Sequence, residues 1–138
     1  MPAKDIYHEA VKHALLKEGW TITHDPLHLK WGTKDLYVDL GAERIIAAEK
    51  SGCKIGVEIK SFTGQSEIKD FEQAIGQYIL YEDVLKKIQP ERVLYLAIPD
   101  EVYRDVFEEP IGQLFLENHH MQLIAFDPEN EVIVKWLP

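Results

Sequence analysis

Two short segments in which apolar and polar residues alternate constrain this chain most, Asp35–Leu40 and Gly56–Lys60. Successive side chains of a β-strand point to opposite faces, so Glu58 and Lys60 share one face, opposite to their apolar neighbours. The same alternation places Asp39 on the polar face of the earlier segment. If the two strands lie close together in one sheet, two carboxylates and one ammonium group converge.

This convergence predicts a site for metal-dependent phosphodiester hydrolysis. Asp39 and Glu58 can hold a divalent cation, Mg²⁺ or Mn²⁺, because such cations prefer carboxylate oxygens. Lys60 can then orient an attacking water or help to deprotonate it. The alternative is an ordinary half-buried strand, which also turns its charged side chains towards water.

Length and composition predict a globular protein with one domain, residues 1–138. Of its 138 residues, 46% are hydrophobic and 28% are charged. No apolar run reaches the length of a membrane span and no signal peptide is recognisable, so we expect a cytoplasmic protein with no membrane contact. The single cysteine, Cys53, excludes an internal disulfide and a cysteine-based zinc site. The tryptophans lie in or beside apolar strands, which favours core or interface packing over base stacking.

The net charge of −9 is confined to the second half of the chain. Residues 1–69 contain ten basic and ten acidic residues, whereas residues 70–138 contain five basic and fourteen acidic ones. We therefore expect weak unaided DNA binding, since neutralising phosphates supplies most of the affinity, and an acidic half that faces a protein partner. Lysines of the first half are candidates for a basic DNA-binding rim around the site: Lys30, Lys34, Lys54, Lys60 and Lys69.

The apolar periodicity predicts an α/β fold, a mixed β-sheet flanked by helices. A first helix is expected over residues 3–18, with Ile6 on its apolar stripe, and a second from the N-cap Ser66 to about Ile88. Pro110 should divide a third helical region, residues 100–117, in two. Strands are expected at residues 20–23, 35–40, 45–49, 54–61, 92–98, 121–126 and 132–136, with a hairpin turn at Ser51–Gly52 and the order αβββ(β)αβαββ.

Both helices could contribute side chains to the site. Gln73, Gln77 and Tyr81 recur every fourth residue, so they share one edge of the second helix. The glutamines could bind phosphate oxygens, metal-bound water or the two carboxylates; a solvated flank is the alternative. Glu9, at the edge of the buried stripe of the first helix, could supply a third carboxylate or could be a surface residue.

In this element order, Asp39, the Glu58-Ile59-Lys60 strand, Glu9 and the helix glutamines resemble the PD-(D/E)XK nuclease superfamily. The segment Gln77–Tyr81 is similar to the Gln-x-x-x-Tyr helix motif of its RecB-like branch. The resemblance implies a restriction-endonuclease-like fold with Asp39 and Glu58 as metal ligands and Lys60 as the catalytic lysine. It implies accessory roles for Glu9 and Gln77. No proline precedes the first acid, which leaves Asp35 as an alternative to Asp39.

Six segments spread over the chain are similar to the XisH family, the fdxN element excision controlling factors found mainly in cyanobacteria. They are Met1–Asp5, Gly19–Pro26, Asp39–Glu43, Ala47–Lys50, Val57–Phe62 and Gly76–Tyr78. The resemblance implies a role in programmed excision of a DNA element by a site-specific recombinase, alongside a XisI-like protein. It does not by itself imply catalysis, because a fold does not determine a function. The oligomeric state stays open, and a homodimer is compatible with the sequence.

Overall fold

The computed structural model describes residues 4–46, 51–119 and 121–137, and its centre is a six-stranded mixed sheet. With strands numbered along the chain, the neighbours in space are β1 (Thr21–His24), β4 (Leu40–Ile46), β5 (Ser51–Ile59), β6 (Arg92–Pro99), β7 (Leu123–Asp127) and β8 (Val132–Leu137). β6 is parallel to β5 and β7, and the other neighbours are antiparallel. Strands β2 (Leu27–Trp31) and β3 (Lys34–Val38) form a separate antiparallel hairpin.

The helices are α1 (His8–Lys17), α2 (Glu67–Ile88), the short α3 (Asp100–Val102) with the π-helical turn Tyr103–Phe107, and α4 (Pro110–His119). α2 has the predicted bounds, and the Ser66 hydroxyl caps it by accepting a hydrogen bond from the Lys69 N–H at 3.3 Å. Pro110 begins α4, as expected of a residue that lacks a backbone N–H. No helix in the described ranges is long and apolar enough to cross a membrane.

Both faces of the sheet are covered, because side chains alternate along each strand. Leu94, Leu96 and Ile98 of β6 pack against α2, the π-helical turn and the β2–β3 hairpin. Ala97, on the other face, belongs to a second cluster with α1. Gly56 of β5 faces the hairpin, since a Cβ there would lie 3.5 Å from the Leu27 side chain. The face of β5 that the sequence marks as polar is therefore covered as well.

The first half of the chain differs from the predicted element order. β2 is absent from the sequence prediction. In this strand only the first and third residues, Leu27 and Leu29, are buried. The predicted strand at residues 35–40 is divided at Asp39 into β3, in the hairpin, and β4, in the main sheet. A local alternation of residues cannot show that the two parts of one run pair with different partners.

Two further boundaries also differ from the sequence prediction. α1 begins at His8 instead of residue 3, and Ile6 is 69% exposed instead of lying on the apolar stripe. Ser51 and Gly52 belong to β5, where they pair with β4, so they are not the turn. Residues 47–50, which include part of the predicted strand at 45–49, lie outside the described residues.

The tryptophans follow the expected packing in two of three cases. Trp20 is buried and stacks on Trp136, with ring centroids 5.7 Å apart, on the α1 side of the sheet. Trp31, at the end of β2, is 52% exposed, so it does not pack in the core, and interface packing stays a prediction for it.

Candidate active site

Asp39 lies in the bend between β3 and β4, where the chain passes from the hairpin into the main sheet. Because Leu40 pairs with Val57, Asp39 comes next to Glu58. Its Oδ2 accepts a hydrogen bond of 2.7 Å from the Ile59 N–H, and its own N–H donates to Glu58 Oε1 at 3.3 Å. The Asp39 carboxylate thus binds a backbone N–H of β5 just beyond the end of the β4 pairing.

A cavity of about 150 Å³ opens at this end of β5. It brings together four of the predicted site residues, Asp39, Glu58, Lys60 and Gln77, and its remaining lining residues are Asp5, Tyr37, Ile59 and Tyr81. The alternative first acid, Asp35, is exposed on β3 and lies 2.7 Å from His28 Nε2 instead. The carboxylate that lies beside Glu58 is therefore that of Asp39. We call this the carboxylate cavity.

The two carboxyl groups have raised pKa values, and burial is the main cause. Glu58 is 5% exposed. Burial, and next the charge of Asp39, raise its pKa to about 9, while the Lys60 ammonium acts in the opposite direction. Burial also raises the pKa of Asp39, against the Ile59 N–H that stabilises its charged form. The pKa of Glu58 thus lies above neutral pH, so without a cation its carboxyl group is protonated there.

Polar side chains surround this pair on the α2 side. The Oε1 atom of Gln77 is buried and has no hydrogen-bond partner among the described residues. The pKa of Tyr81 is raised by burial and then by the charges of Glu58 and Asp39, so its hydroxyl group lies close enough to feel these charges.

Lys60, which follows β5, takes part in none of the ion pairs within the described residues. Its ammonium group is thus available to an anionic ligand.

Asp5 is a cavity residue that the sequence analysis missed. One of its oxygens accepts the N–H of Tyr7 at 2.9 Å, at the start of α1, and the other accepts the N–H of Ser61 at 3.0 Å. The Lys60 N–H donates to the Ala97 carbonyl at 3.0 Å, so the backbone is held on both sides of the lysine. An Asp just before a helix is a typical capping signal, but its bond to Ser61 joins residues far apart in sequence.

Two predicted accessory residues lie outside the carboxylate cavity. Gln73 is exposed and lines a neighbouring cavity of about 150 Å³, which shares Asp5 and Lys60 with the first. Glu9 lines neither cavity. Its side chain is 59% exposed, with one oxygen 4.0 Å from His13 Nε2. The acid that the N-terminal segment directs towards the site is Asp5 instead.

The predicted basic rim is only partly close to the site. Lys30 and Lys34 are exposed on the β2–β3 hairpin, and Lys69 is exposed in the first turn of α2. None of the three lines the carboxylate cavity. Lys54 does not belong to the rim, because it lies at the opposite half of β5 and pairs with Glu43 at 3.8 Å.

The donor set of the cavity fits a hard divalent cation. Two carboxylates with raised pKa values and the unpartnered Gln77 Oε1 provide the oxygen atoms that Mg²⁺ and Mn²⁺ prefer. The site is sparse, since the described residues contain no group of three or more His, Cys, Asp or Glu side chains placed to bind a metal. Water and a substrate oxygen would have to complete the coordination, as is usual for Mg²⁺.

Comparison with known proteins identifies the family. A family model described as XisH protein matches residues 1–134. The chain belongs to the XisH family. A crystal structure of an XisH family protein from Nostoc punctiforme PCC 73102 is 40% identical in sequence, with a TM-score of 0.88, and the match covers 97% of this chain and 100% of that one.

A second solved XisH relative is an fdxN element excision controlling factor protein from Anabaena variabilis. It is also 40% identical with a TM-score of 0.88, over 98% of this chain and 100% of its own. No curated protein matches this chain. The family resemblance read from the sequence is confirmed, and so is the mixed sheet flanked by helices.

Proposed function

We propose that this chain controls the excision of a DNA element in the cytoplasm, and that it does so as a metal-dependent DNA endonuclease. The observation that carries the proposal is the buried Glu58 carboxyl group next to the half-buried Asp39, with Lys60 in the same cavity. Keeping two carboxyl groups close together in a covered part of the protein costs stability, which a protein tolerates where the groups have a function. The name of the Anabaena variabilis relative supports the excision role.

The fold assignment within this proposal is restriction-endonuclease-like, of the PD-(D/E)XK type. It is supported by an acid at the start of β4, a Glu-x-Lys sequence at the end of the antiparallel β5, and the crossover through α2 to the parallel β6. These elements place residues of one strand end and one helix around a single cavity. Ligands of α/β sheets commonly bind at such strand ends.

Four residues of the carboxylate cavity have a role in the proposed reaction. Asp39 and Glu58 would hold Mg²⁺ or Mn²⁺, which, when bound, supplies positive charge to the phosphate and lowers the pKa of a water. Lys60 would bind a phosphate oxygen and orient the attacking water. Gln77 would accept a hydrogen bond from that water through its unpartnered Oε1. The hairpin lysines and Lys69 would contact the DNA backbone further out.

The test is the cleavage of supercoiled, linear and branched DNA with Mg²⁺ or Mn²⁺ by the parent and by two variants, Asp39→Asn and Lys60→Ala. We expect each variant to lose activity by at least about 100-fold, the size typical of removing one catalytic group. Asp35→Asn and Lys54→Ala are matched controls, since they remove the same charges from outside the cavity, and both should cut like the parent. Cleavage by the parent without added metal, or by Lys60→Ala at the parental rate, would contradict the proposal.

The second candidate is a non-catalytic scaffold that binds a site-specific recombinase or a XisI-like protein. The concentration of net negative charge in residues 70–138 favours it, since such a surface suits a protein better than DNA. Co-purification with a XisI-like protein, unchanged in Asp39→Asn and Glu58→Gln, together with no cleavage by the complex, would support this candidate. Absence of a complex at low and high salt would contradict it.

A further inference from the structure

A second groove lies beside the carboxylate cavity and has a different chemistry. It consists of two adjoining cavities of about 530 and 340 Å³ that share Glu67 and Asp105. It extends from the β7–β8 turn, past α3 and the π-helical turn, to the start of α4. We call it the acidic groove. The segment Ser61–Thr63 lines both this groove and the cavity of Gln73, which in turn shares Asp5 and Lys60 with the carboxylate cavity.

Large apolar side chains are exposed along the acidic groove. Ile68 and Ile111 are each 46% exposed, and Val134 is 53% exposed. The sequence places Ile68 on the apolar face of α2, yet within the described residues no element covers it fully. Exposed apolar side chains that lie together in a concave surface are typical of a protein-binding site.

The rims of the same groove carry almost only negative charge. Seven carboxylates line it, those of Glu67, Asp100, Glu101, Asp105, Glu109, Asp127 and Glu129. Among the described residues, the one basic side chain that lines the groove is that of Arg104, which forms an ion pair of 3.3 Å with Asp100. DNA and an anionic membrane surface would be repelled. A second copy of this chain, with its net charge of −9, would be repelled overall.

We propose that the acidic groove binds a basic, amphipathic helical segment of a protein partner. Apolar residues on one face of such a helix would cover Ile68, Ile111 and Val134, while Lys and Arg residues at its flanks would meet the carboxylates. Addition of a partner strand to the sheet is disfavoured, because both edge pairings, β1 with β4 and β7 with β8, contain a shift in register. The negative charge of the groove favours a basic partner, and the exposed side chains of Ile68, Ile111 and Val134 favour an amphipathic one.

The position of the groove gives such a partner a direct effect on the neighbouring site. Phe62 lines the groove and adopts a positive φ of 58°, a strained value for a residue with a side chain. It follows Lys60 by two residues, so a segment bound in the groove would contact the backbone that positions the lysine. The partner would also supply the positive charge that this acidic chain lacks. The groove would bind its partner whether or not the carboxylate cavity cuts DNA.

The test uses a fluorescein-labelled model peptide of Leu and Lys residues, with Leu at positions i, i+3, i+4 and i+7, and a scrambled peptide of the same composition. Fluorescence anisotropy with the full chain should show at least about tenfold tighter binding of the ordered peptide. The double variant Glu101→Lys/Asp105→Lys should weaken that binding at least about tenfold. Ile111→Asn, a change at an exposed position, should weaken it without altering the charge.

The matched control is Glu72→Lys/Asp83→Lys, which makes the same charge change at exposed positions of α2 outside the groove. It should alter binding by less than about twofold, since only screened long-range attraction is lost. Equal binding of ordered and scrambled peptides, or equal weakening by the groove and control variants, would overturn the proposal. Peptide binding is read without DNA, so this result is separate from the failure or success of the nuclease test.

Discussion

Glu58 shows how a single buried group can couple protonation, metal binding and stability. Its carboxyl group lies next to Asp39 in a covered part of the sheet, and two adjacent negative charges are avoided because the raised pKa of Glu58 keeps it protonated at neutral pH. A divalent cation can replace that proton. The cost of burying the pair in the free protein is therefore recovered when a cation binds.

The first prediction from this pair concerns pH. The pKa of Glu58 is about 9 in the folded protein and 4.5 in the reference state, so between these values the folded state binds more protons than the unfolded state. The free energy of unfolding of the metal-free protein should therefore fall as the pH rises from about 5 to 9. Urea denaturation in EDTA at a series of pH values measures this slope.

The Glu58→Gln variant isolates the contribution of this one group. It lacks the titration, so its stability should vary less with pH over the same range, and it should exceed the parent most at the alkaline end. Glu101→Gln, at an exposed position, is the control and should follow the parent. Parallel pH profiles for the parent and Glu58→Gln would show that the Glu58 carboxyl titrates normally.

Single residues of the site could be predicted only where a local pattern marks them. Glu58 and Lys60 follow from strand alternation, and Asp39 follows from the same alternation in residues 35–40. Asp5 could not be found in this way, because its role depends on the Ser61 N–H. Glu9 shows the reverse error, since a helical stripe does not reveal which element packs over its edge.

Gly112 of α4 lies directly against the π-helical turn. A Cβ at this position would clash with the Val106 carbonyl oxygen and with the Phe107 Cα. Both obstacles are backbone atoms, which cannot move aside as a flexible side chain would. The absence of a side chain at Gly112 thus sets the distance between α4 and the preceding turn.

The second prediction compares two glycine-to-alanine changes. Gly112→Ala should lower the free energy of unfolding by about 2 kcal/mol or more, because of this backbone clash. Gly76→Ala is the matched control within α2, where a Cβ would meet nothing within 4 Å. It should raise the free energy of unfolding by about 0.5–1 kcal/mol, since alanine favours a helix. Urea denaturation measures both, and a stable Gly112→Ala protein would contradict the packing.

Whole elements were predictable where their start, end and periodicity are encoded by neighbouring residues. α2 has the predicted bounds because Ser66 caps it and Pro90 follows its end. The run at residues 35–40 was misread, since alternation records that a segment is extended but not which strand it pairs with. The division at Asp39 depends on the hairpin that β3 forms with β2. β2 has only five residues and was not predicted from the sequence.

At the scale of the complete chain, opposite charges are separated onto different surfaces. The lysines of the β2–β3 hairpin are exposed, whereas carboxylates of the later elements converge on the acidic groove. DNA should therefore bind in one orientation, with the hairpin towards its backbone and the groove away from it. Affinity should be low and steeply dependent on salt, because few phosphates are neutralised.

The third prediction tests this orientation through salt dependence. The variant Lys30→Ala/Lys34→Ala should bind DNA more weakly, and the slope of log K against log salt should fall by up to about 2, since each phosphate contact contributes about 0.9. Lys86→Ala/Lys87→Ala, at exposed positions near the end of α2, is the control and should change the slope little. Titrations at several salt concentrations decide the matter, and equal slopes for both variants would contradict the orientation.

The family, the mixed sheet flanked by helices, the bounds of α2 and the Glu58–Lys60 strand were determined by the sequence alone, since motifs, caps and alternation are properties of adjacent residues. Only the tertiary structure decided that Glu58 is buried, that Asp39 lies in a bend, that Asp5 holds Ser61, and that carboxylates gather around one groove. The physical reason is that burial and convergence depend on which elements cover one another. That information belongs to contacts between residues far apart in the chain.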